Sequence, residues 1–266
     1  MYVAERRSHI LELLKKDKRV DVSALAERLG ASPETIRRDL NEMEAEGFLV
    51  RTHGGAIYLG KNESRPLIPF LPRQAINHDK KTRLGRVAAR FVESGDVIAI
   101  DNSTTAGCIL DHIPTHLRIT VITYSLPVVL DVTSRPECQW SCICLGGMVN
   151  VKNMSTHGLL TNNDLSYFNP KKLFMSCAGI DENGLMTEGE LIESEIKREL
   201  IQRSRKRYLL IDDSKWGQVG AVNEGDVTQI DCLITNAAAD RAKLAPLLDR
   251  GVNILFDDED VLSPPE

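Results

Sequence analysis

The sequence predicts an α/β protein in two unequal parts: a short head of helices ending in a hairpin, and a larger tail built on a mostly parallel sheet. Three observations carry this. The chain has 266 residues, which at about 100–200 residues per domain suits two domains of different size. A stretch with Gly60, Asn62, Ser64 and the prolines Pro66, Pro69 and Pro72 forbids a continuous helix or central strand. Beyond it, short apolar runs alternate with helical stretches. The expected boundaries are 1–58 for the head, 59–78 for the linker and 79–266 for the tail.

In the head, Ile10, Leu13 and Leu14 recur at helical spacing from about Ala4 to Lys16. Val20-Asp21-Val22 then leads to Ser23, read as the N-cap of a second helix with Leu25, Ala26 and Leu29 on one face and Gly30 as its stop. A third helix opens with Ser32 as cap, Pro33 at its first position and Glu34 near the positive end of the dipole. Its inward stripe is Ile36, Leu40 and Met43. Residues 48–52, the turn His53-Gly54-Gly55 and Ala56-Ile57-Tyr58 form a hairpin. Three short helices and a hairpin in sixty residues describe a winged helix-turn-helix. Thr35, Arg37, Arg38 and Asn41 must then face outward or sideways. A solvated helix face would carry the same residues, but the tight Gly30-Ala31 turn, the Ser32 cap and the Gly-Gly hairpin favour a nucleic-acid reader, with arginine matched to guanine and asparagine to adenine.

The tail opens with a helix carrying Leu84, Val87, Ala88 and Phe91 and ending at Gly95. Apolar strands follow at 97–100, 120–123, 142–145, 173–175, 208–211, 232–235 and 253–256. Runs without alternation are buried on both faces, which means a parallel sheet between helices. Their carboxyl ends carry Asp101-Asn102-Ser103-Thr104-Thr105 before a helix with Cys108, then Thr123-Tyr124-Ser125, Gly146-Gly147, a 179–184 segment with Asp181, and Asp212 to Lys215 with Trp216. Such loops converge at one rim of an open sheet, where hydroxyls and a lysine suit phosphate and the acids suit sugar hydroxyls.

Hydrophobic residues make up 42% and charged residues 27% of the chain, which excludes disordered, collagenous and membrane-channel classes. The charged segment from Met1 to Lys18 and the lack of a long apolar run point to the cytoplasm, with no membrane partner. Six irregularly placed cysteines do not make a disulfide scaffold. Cys138, Cys142 and Cys144 lack a second ligand pair, and their alternation reads as a buried strand instead of a metal site. The net charge of −5 argues, taken alone, against DNA. Residues 1–60 carry ten basic and ten acidic residues, however, and the remainder 23 and 28, so the acidity belongs to the tail. A neutral head binds weakly as one copy, and a homodimer or homotetramer held by the tail would pair two heads on a two-fold operator.

Arg6, Ile10 and Leu14, then Ser32, Thr35, Ile36, Arg37, Arg38, Asp39 and Leu40, and a wing from Arg51 to Ala56, form a long spaced pattern that resembles the head of the DeoR-type bacterial transcriptional regulators. The resemblance implies operator DNA as partner, with Ser32, Pro33, Thr35, Arg37, Arg38 and Asn41 reading it and Arg51 and His53 on the wing contacting phosphates. Asp39 is read as orienting a neighbouring arginine or capping local structure.

The tail matches the family too, so the resemblance covers nearly the whole chain. It implies a fold of the ribose-5-phosphate isomerase type that senses a phosphorylated sugar or related metabolite. The effector residues are Asp101, Asn102, Ser103, Thr104, Thr105, Thr123, Tyr124, Ser125, Gly146, Gly147, Gly179, Asp181, Glu193, Lys197 and Lys215. Asn102 and Tyr124 depart from the usual glycine and asparagine. Glu193 and Lys197 alone would be a surface pair worth about 0.2–0.5 kcal/mol, and only the family pattern makes them a ligand contact. The implied function is a repressor of a carbohydrate-catabolism operon, with no catalytic residue, cofactor or metal. The alternative is an isomerase-like enzyme with a DNA-binding head, in which Asp181 and Glu193 move protons.

Overall fold

The computed structural model describes residues 3–45, 49–52, 54–58, 69–236 and 241–258. The chain divides into two compact units, Met1–Ile76 and Asn77–Glu266, taken here one at a time.

The first unit runs α1 (Val3–Asp17), β1 (Arg19–Asp21), α2 (Val22–Leu29), α3 (Pro33–Ala45), β2 (Leu49–Thr52) and β3 (Gly55–Tyr58). The strands form an antiparallel sheet in the order β1-β3-β2. Ile10, Leu14, Leu25, Ile36, Leu40, Met43 and Leu49 close its core, none more than 2% exposed. The cap of α2 is Asp21, not Ser23: its carboxylate accepts from the Ser23 and Ala24 amides at 2.8 and 3.2 Å. Asp21 ends β1 in extended backbone, the geometry a cap requires. Gly30 closes α2 in the left-handed conformation at φ 60°. Part of the expected linker is a helix, α4 (Phe70–Ala75), with Pro69 before it. Pro72 is accommodated because the first turn of a helix has no intrahelical acceptors for its amides.

The second unit runs α5 (His78–Ala89), β4 (Val97–Ile100), β5 (Ile119–Thr123), α6 (Leu126–Thr133), β6 (Trp140–Cys144), β7 (Met148–Asn150), β8 (Ser155–His157), α7 (Leu159–Leu165), β9 (Lys172–Met175), β10 (Gly179–Ile180), β11 (Leu185–Glu188), α8 (Leu191–Arg203), β12 (Lys206–Leu210), β13 (Val222–Asp226), β14 (Cys232–Thr235), α9 (Arg241–Asp249) and β15 (Ile254–Phe256). Seven strands form a wholly parallel sheet in the order β15-β14-β12-β9-β4-β5-β6. All seven correspond to the apolar runs of the sequence.

Successive side chains of a strand point to opposite faces, so the sheet has two cores. Ile98, Ile100, Phe174 and Leu210 pack with Leu84, Val87 and Ala88 of α5. Ala99, Leu173, Met175 and Leu209 pack with Ile196 and Leu200 of α8. Two expectations need correction. The Cys142 run is a half-exposed edge strand, with Cys144 open to solvent, because β6 has a neighbour on one side only. The segment after Asp101–Thr105 is a six-residue 3₁₀ turn, Ala106–Asp111, in place of an α-helix. Beside the main sheet stand a second, antiparallel sheet of β10-β11-β13 and a β7-β8 hairpin.

Candidate functional site

In the first unit, α3 is built to present its outer face. The Ser32 hydroxyl accepts from the Thr35 amide at 3.2 Å and lies 2.8 Å from the Thr35 hydroxyl, fixing the first turn. Ser32, Pro33 and Asn41 are exposed and Thr35 is half-buried. The Arg37 and Arg38 side chains are 52% and 83% exposed, and they donate to Glu34 and Glu42 at 3.0 and 3.3 Å. Pairs this open contribute little and exchange readily for other anions. Asp39 does not orient Arg37 or Arg38. It points inward, 2% exposed, and accepts from Arg6 at 2.5 and 3.2 Å and from Arg7 at 3.5 Å, locking α3 to α1. Arg51 is half-buried, its guanidinium donating to the Gly55 carbonyl at 3.1 Å and its amide to Glu44; burial lowers its pKa. It therefore staples the wing as well as facing out of it. His53 lies outside the described residues.

In the second unit, the carboxyl ends of β4, β9 and β12 meet α8 and β13. Asp101 follows β4, is fully buried, and accepts from the Ser103 amide and hydroxyl at 2.9 and 2.5 Å and from the Ser176 amide at 3.1 Å. Lys197 reaches it from α8 at 3.4 Å, and also donates to Glu188 at 2.5 Å and to the Ser176 carbonyl at 2.7 Å, with Glu224 at 3.9 Å. Burial acts to lower the Lys197 pKa, but Glu188, Glu224 and Asp101 outweigh it and hold the ammonium well above the ordinary lysine range. Glu224 is pushed up to about 8, chiefly by burial. Lys215 donates to the Ser176 hydroxyl at 2.7 Å and the Cys177 carbonyl at 2.8 Å. Burial lowers its pKa, against the pull of Asp212.

Glu193 and Lys197 are not a surface pair. They are 6% and 4% exposed, and each turns to other partners. Glu193 accepts from the Ser155 hydroxyl at 2.8 Å and from Asn153 at 3.5 Å, and burial raises its pKa. Tyr124, with no exposed surface, lies beside it; burial first and then Glu193 hold the phenol protonated. Asn102 donates to the Asn153 carbonyl at 2.9 Å. Around this cluster Asn102 Oδ1, Thr105 Oγ1, Ser125 Oγ and both Glu224 oxygens are buried with no hydrogen-bond partner among the described residues. A buried polar atom left unsatisfied costs about 1–3 kcal/mol, which makes these atoms candidates for contact with a polar ligand or ordered water.

Other expected site residues shape the loops. Thr123 spends its hydroxyl on the Ile100 carbonyl and the Ser125 amide. The Gly146 amide donates to Asp164, and a Cβ at Gly147, where φ is 134°, would stand 2.2 Å from Thr161 Oγ1. At Gly179 it would stand 2.2 Å from the Gln218 carbonyl oxygen. Asp181 accepts from the Asn183 and Leu185 amides at the turn of the β10-β11 hairpin. Glu188 enters the cluster from the opposite end of β11, about 10 Å along the strand. Sequence reasoning missed Lys81, Asn153, Ser155, Ser176, Glu188 and Glu224. Lys81 was the most legible of these: it lies one turn before Leu84 on the apolar stripe of α5, is 5% exposed, and donates to the Thr104 hydroxyl at 2.9 Å.

Comparison with known proteins agrees with both parts. A DeoR-like helix-turn-helix domain matches residues 6–62, and a DeoR C terminal sensor domain matches residues 76–237. The HTH-type transcriptional regulator YulB of Bacillus subtilis is 33% identical over 96% of both chains. The glycerol-3-phosphate regulon repressor of Escherichia coli is 28% identical over 96% of this chain and 99% of its own. The L-fucose operon activator of Escherichia coli is 31% identical over 88% and 95%. Among solved structures, a ribose 5-phosphate isomerase from Methanocaldococcus jannaschii has a TM-score of 0.39 at 14% identity, covering 53% of this chain and 55% of that one. On the sequence matches to both domains, this chain is a transcriptional regulator of the DeoR family.

Proposed function

We propose that this regulator is a repressor of a carbohydrate-catabolism operon, that its tail binds a phosphorylated sugar or related metabolite, and that the ligand releases operator DNA. The observation that carries the effector reading is Lys215, an ammonium at the end of β12 that makes no ion pair among the described residues and donates only to the Ser176 hydroxyl and the Cys177 carbonyl. Lys197 is already held by Glu188 and Asp101, so the phosphate role falls to Lys215, with Lys81, which donates to Thr104, as a second cation of the strand-end loops. Glu193, Ser125 and Asn102 then face the sugar hydroxyls. The relatives named for glycerol 3-phosphate and fucose support a carbohydrate effector.

The mechanism is a population shift: a ligand that favours a DNA-incompetent arrangement of the heads lowers operator affinity by its differential affinity for the two states. Two heads are needed because one head carries no surplus of positive charge. We place the pairing of copies, as a homodimer or homotetramer, in the tail, where Met148, Val151, Leu159, Leu160 and Tyr167 are each more than 60% exposed. Sedimentation at micromolar concentration should show the oligomer.

The tail is a sensor and not an enzyme in this reading. Asp181, one of the two acids an isomerase would use, is committed to its hairpin turn. A turnover assay with pentose and hexose phosphates should detect no isomerisation; turnover abolished by Glu193→Gln would establish the enzyme instead. The effector reading itself is tested by thermal shift against a panel of sugar phosphates, where a ligand at a hundred times its Kd adds about 2.7 kcal/mol.

A further inference from the structure

Residues 32–38 open the third helix of the head, and Glu34 is the one acid among them. Its side chain is 85% exposed at the second position of α3, the end of such a helix that meets base edges. A carboxylate there is repelled by every phosphate, and sequence-independent affinity comes from neutralising phosphates. What a carboxylate offers in exchange is specific acceptance: the N4 amino group of cytosine is its match in the major groove, whereas guanine presents only the acceptors O6 and N7. Arg37, one turn further on, donates through one N–H to Glu34 at 3.0 Å and is itself 52% exposed. The two therefore present acceptor and donors side by side, with the acid's charge partly compensated by its neighbour.

We propose that Glu34 and Arg37 act as one base-reading unit, Glu34 accepting from a cytosine N4 amino group and Arg37 donating to O6 and N7 of an adjacent guanine. This rests on the head binding operator DNA. The competing role for Glu34 is to offset the positive end of the helix dipole; that role affects stability and leaves base choice untouched.

The experiment is selection of duplexes from a random library by the full chain and three variants, with thermal melting to confirm folding. The native chain should select half-sites with a fixed cytosine beside a fixed guanine. Glu34→Ala should lose the cytosine preference by roughly 5- to 150-fold while the rest of the half-site persists, and Glu34→Gln should move that position toward adenine, the base an amide side chain matches. Arg37→Ala should relax the guanine and keep the cytosine. If Glu34→Ala selects the same bases with the same strictness, or if Arg37→Ala loses both positions together, Glu34 is not a base reader. A native chain that selects no sequence at all would overturn the DNA-binding reading along with this one.

Discussion

The two units of this protein handle charge in opposite ways. On α3 of the head, Arg37 and Arg38 lie on the surface, each beside an exposed or half-exposed glutamate. In the tail, Lys197 is buried and held by Glu188 and Asp101, with Glu224 close by. Exposed pairs are worth about 0–1 kcal/mol and cost little to break, so the head keeps its cations available for phosphate. Buried pairs are expensive to break and fix geometry, so the tail spends its charges on holding the strand ends where the effector is proposed to bind. The head departs from this pattern at the buried Asp39, where Arg6 and Arg7 of α1 are fastened to α3.

The contrast predicts effects of decreasing size. Lys197→Ala leaves buried acids without their counter-ion and should cost about 3–5 kcal/mol of tail stability, read by urea denaturation. Asp39→Ala should destabilise the head by about 3 kcal/mol, because it removes the buried carboxylate that fastens Arg6 and Arg7 of α1 to α3; a tail transition left unchanged in the same melt would localise the effect. A loss under 0.5 kcal/mol in either variant would erase the distinction between the units.

The pH response comes next. Folded Glu224 keeps its proton up to about pH 8, against an ordinary carboxyl value of 4.5. Between those values the unfolded chain binds fewer protons than the folded one, so this group's contribution to stability falls as pH rises from about 4.5 to 8. Glu224→Gln should flatten that part of the profile in melts taken without ligand. The smallest stability effect belongs to Arg38→Ala, within about 0.5 kcal/mol. Operator affinity should nevertheless drop, and the slope of log affinity against log salt should become shallower by about one.

The architecture was legible because it rests on long signals. The inner strands of the parallel sheet are buried on both faces over most of their length and read as apolar runs, and the half-exposed edge strand β6 still carries an apolar stretch. The antiparallel sheet was not legible: β13 is Val222-Asn223-Glu224-Gly225-Asp226 and β10 is two residues long, so neither has a period to detect. That is also why Glu224 went unnoticed, since it enters the site from β13, while Glu188 enters from the end of the four-residue β11. The helix pattern of α8 placed Glu193 and Lys197 four residues apart but could not show that the face they share is covered by Ser155, Ser176 and Glu188. Asp39 illustrates the same limit in the head. Its neighbours in sequence are Arg37 and Arg38, yet Ile36, Leu40 and Met43 on the same helix carry it inward to Arg6.

The central claim is that one cleft at the strand ends both binds a phosphorylated sugar and sets operator affinity, and Lys215→Ala tests it most directly. Operator binding by this variant and the native chain should be titrated with the sugar phosphate that most raises the native melting temperature. The account predicts equal operator affinity without ligand, release of DNA from the native chain on adding it, and loss of both the thermal shift and the release in Lys215→Ala. Release from Lys215→Ala at the same ligand concentration as from the native chain would contradict it.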